Sequence, residues 1–266
     1  MSTATPAPIP VRSPLTSALA GATAVLLGGT SGIGLAAGVL LRSVGARVVL
    51  VGRDPGRLKT AVDQVRGAGA DGDIDDVVLG VSGDAGDEEV LAEAFDTAGH
   101  VDHVLLTAGG LTGVGPLTEL SADDIRGTLD ARLWSVFAAA RAAATRLPAG
   151  GSLTLSSGIL VGRPMPGMSV PLSIGGAAET LTRALAVELA PARKRVNAIR
   201  YGRIDTPLLR AVPGHGSDEA IATAGSTIPL GRVGTPEEAA ATALFLMANN
   251  YVTGQILTVD GGQTLL

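Results

Sequence analysis

Seven short apolar runs rich in β-branched residues alternate along the chain with longer alanine-rich segments of helical period, and this alternation constrains the fold more than any other feature. Strands that are apolar on both sides need cover on both sides, which helices provide when the strands lie parallel. The runs are Ala24–Gly28, Arg47–Val51, Val77–Val81, His103–Thr107, Ser152–Ser156, Val196–Tyr201 and Gln255–Val259. Helix openings stand between them: Asp54 before Pro55, Ser121 followed by Asp124, and Thr235-Pro236-Glu237. Each supplies a capping oxygen for the unpaired amides of a first turn. No internal repeat is evident, and Asp205–Pro229 is expected to be a long irregular segment of the kind that covers a site. These elements fill one domain, residues 15–266. The preceding residues 1–14, MSTATPAPIPVRSP, are rich in Pro, Ser, Thr and Ala, predict a disordered tail, and lack the apolar stretch of a secretory signal.

The formal charge of −5 is spread without basic blocks, so no source of polyelectrolyte attraction to nucleic acid is present and no such partner is expected. There is no cysteine, which excludes disulfides, thiolate metal sites and cysteine nucleophiles and fits a reducing cytoplasm. His100, His103 and His215 lack a metal-ligand spacing, so no metal is expected. Gly, Arg and Asp interrupt every apolar run before the roughly 18–20 residues needed to span a bilayer, so no membrane partner is expected either.

The first run leads directly into Gly28-Gly29-Thr30-Ser31-Gly32-Ile33-Gly34, after which Leu35–Val44 reads as an apolar helix. Strand, glycine turn and helix in that order form a pyrophosphate site, because small residues let the backbone approach closely and the helix dipole favours an anion. A tight turn without a ligand is the plainer alternative. The second run ends at Gly52 and Arg53, where dinucleotide folds meet the adenosine ribose. A guanidinium there suits a 2′-phosphate and points to NADP(H), unless Arg53 is only a solvated residue at a helix start.

The turn, its place in the chain and the later segments together resemble the short-chain dehydrogenase/reductase family from Leu15 to the C-terminus. Gly28–Gly34 is similar to the family's TGxxxGIG turn with Gly28 in place of Thr, and Leu106-Thr107-Ala108-Gly109 is similar to a degenerate NNAG. Leu181–Pro191 (LTRALAVELAP), Arg195–Asn197, Ile204–Pro207 (IDTP) and Val252–Gly262 (VTGQILTVDGG) match the family's second half. The resemblance implies an α/β fold, a doubly wound, Rossmann-type parallel sheet of about seven strands in a single domain, and a homodimer or homotetramer. It also implies that Gly28, Thr30, Ser31 and Ile33 line the pyrophosphate and ribose, that Asp84 contacts the adenine, that Thr107, Ala108 and Gly109 flank the cofactor, and that Thr206 holds the nicotinamide carboxamide. Thr206 as a helix cap and Asp84 as a turn residue in Gly83-Asp84-Ala85-Gly86 stay open beside those roles.

The same resemblance exposes a departure. The family uses Ser, Tyr, Lys and Asn for its chemistry. Ser157, in Ser156-Ser157, matches the serine, but the Tyr position falls on Pro171, the Lys position on Gly175 and the Asn position on Arg132, and Gly158–Glu179 contains no tyrosine or lysine. Arg132 could stabilise an anionic substrate group or a developing alkoxide, or could form a structural salt bridge. Tyr201 replaces the proline of the family's PG turn, where a phenol could reach the substrate or simply fill space. Trp134 is expected in the core. Two functions follow. One is an NADPH-dependent oxidoreductase with a non-standard site, in which Ser157, Arg132 and Tyr201 are the catalytic candidates and a small activated acceptor such as an imine or iminium, a quinone or a ketone is reduced. The other is a silent NADP(H)-binding sensor or scaffold, or a non-redox cyclase or lyase in the same pocket.

Overall fold

The computed structural model describes residues 15–69 and 77–266, so the expected tail over residues 1–14 lies outside it. β1 (Thr23–Leu27), β2 (Arg47–Gly52), β3 (Val78–Ser82), β4 (His103–Leu106), β5 (Ser152–Gly158), β6 (Arg195–Tyr201) and β7 (Ile256–Val259) form one parallel sheet in the order β3-β2-β1-β4-β5-β6-β7. Each is one of the seven apolar runs, displaced by at most two residues at an end.

Helices cover both faces, as apolar parallel strands require. Alternate residues of each strand feed two separate cores. Val25, Leu27, Val49, Leu153 and Leu155 meet α3 (Glu88–Ala98), α4 (Ala122–Arg146) and α5 (Ser169–Leu189) on one face. On the other, Leu26, Leu50 and Ile199 meet α1 (Gly32–Ser43), α2 (Pro55–Arg66) and α8 (Pro236–Ala248). The helix openings are capped as read: Asp54 accepts from Arg57 N at 2.8 Å, and Ser121 with Asp124 and Thr235 with Glu238 form reciprocal capping boxes. At the far end of α8, the buried guanidinium of Arg195 donates to the carbonyls of Leu246 and Met247, and desolvation pulls it down to about 10. Among the described residues no helix is long and apolar enough to cross a membrane.

The segment Asp205–Pro229 is not irregular. It holds α6 (Pro207–Arg210) and α7 (Asp218–Ser226), capped by Thr206 and Ser217. Helices this short leave no legible periodicity, but Ile221, Ile228, Val233 and the neighbouring Leu209 give the segment a small core of its own.

Candidate functional site

The chain leaves β1 for β2 and β3 on one side and returns to β4 on the other, so the loops after β1 and β4 diverge and open a crevice at the carboxyl ends of the strands. The glycine turn lies on one side of it and Thr107–Gly109 on the other. Gly28 has φ +93°, and a Cβ there would lie 2.7 Å from Ala108 Cα. Thr107 Oγ1 donates to Gly28 O at 3.2 Å and fills the space a side chain at Gly34 would need. Gly32, at φ +51°, would place a Cβ 3.2 Å from the Thr206 methyl. The structure therefore brings the turn, Thr107, Ala108 and Thr206 together around one backbone cradle. Thr206 also caps α6 through Leu209 N, so its structural role holds regardless of any ligand.

Ser31 is the N-cap of α1 but its side chain makes no capping bond, in contrast to the caps of α2, α3, α4, α6, α7 and α8. The first intrahelical bond runs from Leu35 N to Ser31 O, which leaves the amides of Gly32, Ile33 and Gly34 free at the positive end of the helix dipole. A glycine cradle with open amides fits a pyrophosphate. Ile33 packs back onto the α1 and α8 core, and Thr30 lies over Gly52, at the tip of β2. Beyond it, Arg53 Nη1 stands 3.9 Å from Asp84 Oδ2, both side chains exposed. Asp84 Oδ1 accepts from Gly86 N at 2.8 Å, so Asp84 shapes its own turn while facing Arg53. Trp134 is not core. It is 43% exposed and its indole N–H donates to Gly86 O at 2.9 Å, tying α4 to the Asp84 loop.

At the other end of the crevice, Arg132 reaches from α4 to the loop after β4, where a Cβ on Gly109 would lie 3.2 Å from its Nη2. No ion pair holds Arg132 among the described residues, and its Nη1 is buried without a hydrogen-bond partner, so the salt-bridge alternative is not realised. Desolvation lowers the guanidinium's pKa. Ser157 is half-buried near the end of β5. A Cβ on Gly175 would stand 3.3 Å from its Oγ, so the position read as the missing lysine does face the serine. That same Cβ would lie 2.8 Å from Val161 Cγ2, which occupies the vacated space.

Tyr201 is corrected by its surroundings. It is packed among Ile199, Ile204 and Leu105 in the core on the α1 and α8 face, with its hydroxyl inaccessible to solvent. Burial drives the phenol's pKa far up and outweighs the opposing influence of the nearby Ser156 hydroxyl, which gives its own proton to Leu106 O at 2.6 Å. A phenol so placed is closed off from solvent and stays protonated at neutral pH.

Sequence reasoning missed two residues beside Ser157. Ser157 Oγ donates to Glu179 Oε1 at 2.8 Å, and Arg200 grips the same carboxylate with two bonds, Nε to Oε1 at 2.8 Å and Nη2 to Oε2. Glu179 is only 4% exposed. Desolvation pushes its carboxyl up, yet the hydrogen bonds from Arg200 and Ser157 outweigh it and hold the group below its ordinary value. The signal was present in α5, where Glu179 shares an inward face with Thr182 and Ala186, because a carboxylate on a buried face requires a cation. A cavity of about 330 Å³ also lies between α6, α7 and the loop at Gly231, but its charges are already paired, Arg210 with Asp205 and Asp218 and Arg232 with Glu238 outside the cavity.

The profile of the family described as Enoyl-(Acyl carrier protein) reductase matches residues 28–264. The chain is 34% identical to Carbonyl reductase family member 4 of Danio rerio, over 91% of this chain and 98% of that one. It is 30% identical to the short-chain dehydrogenase/reductase malC of Malbranchea aurantiaca, over 93% and 96%. The solved structure titled MalC Reductase/Diels-Alderase superposes with a TM-score of 0.84 at 28% identity, covering 94% of this chain and 99% of that one. A short-chain type dehydrogenase/reductase from Mycobacterium ulcerans gives 0.84 at 31% identity, covering 93% and 91%.

Proposed function

Since this chain belongs to the short-chain dehydrogenase/reductase family of oxidoreductases, we propose that it is an NADPH-dependent reductase that acts through a non-standard site on an activated acceptor, an imine or iminium, a quinone or a ketone. The observation that carries this reading is Arg132, a desolvated guanidinium with a buried, unpartnered Nη1 at the loop after β4, beside a glycine cradle that keeps its anion-binding amides free. Arg53 at the tip of β2 supports the 2′-phosphate form of the cofactor. When bound, the nicotinamide supplies a hydride. Gly28, Thr30, Ser31 and Ile33 hold its pyrophosphate and ribose, Asp84 borders the adenine, Thr107, Ala108 and Gly109 flank it, and Thr206 takes the carboxamide. Arg132 balances negative charge on the acceptor, and Ser157 orients the reacting group. With Pro171 and Gly175 where the family keeps its acid and its lysine, an acceptor that needs no proton in the hydride step suits this site best. The protein would act on a small molecule as a homodimer or homotetramer in the cytoplasm.

A ring-forming activity in the same pocket is the second reading, favoured by the likeness to the structure titled Reductase/Diels-Alderase. Titration with NADPH and NADH, followed by addition of cyclic imines, quinones and ketones while the nicotinamide absorbance is followed, separates the two. The reductase reading expects tighter NADPH binding, about tenfold weakened by Arg53→Ser, and NADPH consumption that falls by about 10²–10³ in Arg132→Ala. Binding of NADPH with no consumption by any acceptor moves the assignment to a cyclase or a sensor. Absence of binding by either nucleotide overturns the cofactor assignment itself.

A further inference from the structure

The carboxylate of Glu179 has no counterpart in the roles assigned so far, yet it is the one fully buried acid among the described residues and bonds directly to Ser157. It sits one helical turn beyond Gly175 on α5, and both acceptors within reach of the Ser157 proton are on that helix: Glu179 Oε1 at 2.8 Å and Gly175 O at 3.4 Å. Both lie on the α5 side of the serine. A serine hydroxyl has one proton and two lone pairs. A proton given to a carboxylate makes a bond roughly twice as strong as one given to a neutral carbonyl. Turning that proton outward to a ketone would therefore exchange a strong bond for a weak one. The carboxylate cannot relax toward neutrality to ease the exchange, because Arg200 fixes both of its oxygens from β6 and Arg183 on α5 adds further positive charge nearby.

We propose that Glu179, backed by Arg200, is a positioning residue that commits the Ser157 proton inward, so that Ser157 accepts a hydrogen bond from substrate and the site selects a reacting group bearing an N–H or O–H donor. The proposal deepens the reductase reading and rests on it for the identity of the pocket. Among the acceptors considered there, a protonated imine carries such a donor and a plain ketone does not. Arg132 asks for the complementary feature, an oxygen acceptor elsewhere on the same molecule, since its own unpartnered nitrogen is a donor.

The test is a ligand-binding comparison on the full chain saturated with NADP+, which binds without turning the ligands over by reduction. The probes are 1-pyrroline, at a pH where it is protonated, and cyclopentanone, the ketone of equal ring size, each measured by ligand-observed NMR. The wild type is expected to bind the imine at least tenfold more tightly. In Glu179→Leu/Arg200→Met, which removes the ion pair as a unit, the ratio is expected to fall below threefold through gain of ketone affinity as well as loss of imine affinity. A merely structural pair would weaken both ligands together. Ser157→Ala, which leaves the ion pair in place, guards against misfolding of the double variant and is expected to bring the ratio below threefold by loss of imine affinity. Equal affinity in the wild type, including no measurable binding of either probe, overturns the proposal, as does an unchanged ratio in Ser157→Ala. A tenfold preference without NADPH consumption in the separate turnover assay would leave the proposal standing and remove the reductase reading.

Discussion

Tyr201 Oη and Arg132 Nη1 are both buried without hydrogen-bond partners among the described residues, and their surroundings give them different meanings. Arg132 carries a charge that an apolar interior would not tolerate alone, and its fork lies against Gly109 in a loop that borders the crevice, so a ligand oxygen can complete it. Tyr201 is neutral and packed on every side, so its lone hydroxyl only costs stability, about 1–3 kcal/mol for an unsatisfied buried group. Tyr201→Phe keeps the ring and deletes the hydroxyl. Turnover is expected to stay within twofold of wild type, and the melting temperature to hold or rise by about 2–4 °C, the shift about 1 kcal/mol produces in a domain of this size. A hundredfold loss of turnover with an unchanged melting temperature would instead make Tyr201 the missing proton donor.

At the level of elements, the start of α5 and the turn after β5 have changed together. Pro171 occupies the first turn of α5, where its absent N–H has no intrahelical partner to lose, and Gly175 follows one turn later on the same face. Val161 fills the volume a lysine stem would need. Restoring the family's pair by Pro171→Tyr/Gly175→Lys should therefore overpack the site at a cost of about 1–3 kcal/mol and yield only slow ketone reduction, whereas adding Val161→Ala should give at least ten times the ketone turnover of the double variant. Equal turnover in the two would show that Val161 is no barrier. The strands, the capped helices and the glycine turn were legible because each is written in contiguous residues: apolar runs buried on both faces, an oxygen before a proline or acid, small residues between strand and helix. Glu179 and Arg200 were not, since the pair joins a helix to a strand across 21 residues, and the only local charge, Arg183 four residues along α5, does not announce it. The polar residue on an inward face of each element was the available sign. The two short helices after Asp205 escaped for another reason: α6 has four residues and α7 nine, too few for a helical period to stand out.

Across the described residues, large exposed apolar side chains are spread over loops and helices, and three of them stand on the packed pair α4 and α5. Trp134 and Phe137 on α4 are about two-fifths exposed, Val187 on α5 is 78% exposed, and Leu265 and Leu266 end the chain in solvent. Single exposed apolar side chains are ordinary, but several large ones on the packed pair α4 and α5 suit a face that another copy covers. A stable interface takes roughly 800 Å² from each partner, a footprint that two adjacent helices of 25 and 21 residues can supply. α4 carries Arg132 and α5 carries Glu179, so covering this face would also stiffen the two helices that shape the chemical end of the crevice. Light scattering behind size exclusion is expected to give a mass of two or four times 26.5 kDa. Val187→Arg places a charge in that face and should shift the mass downward without altering NADPH affinity, because the glycine cradle lies at the ends of other elements. A wild-type mass of one chain at micromolar concentration would leave the α4 and α5 face uncovered and remove the case for a second copy there.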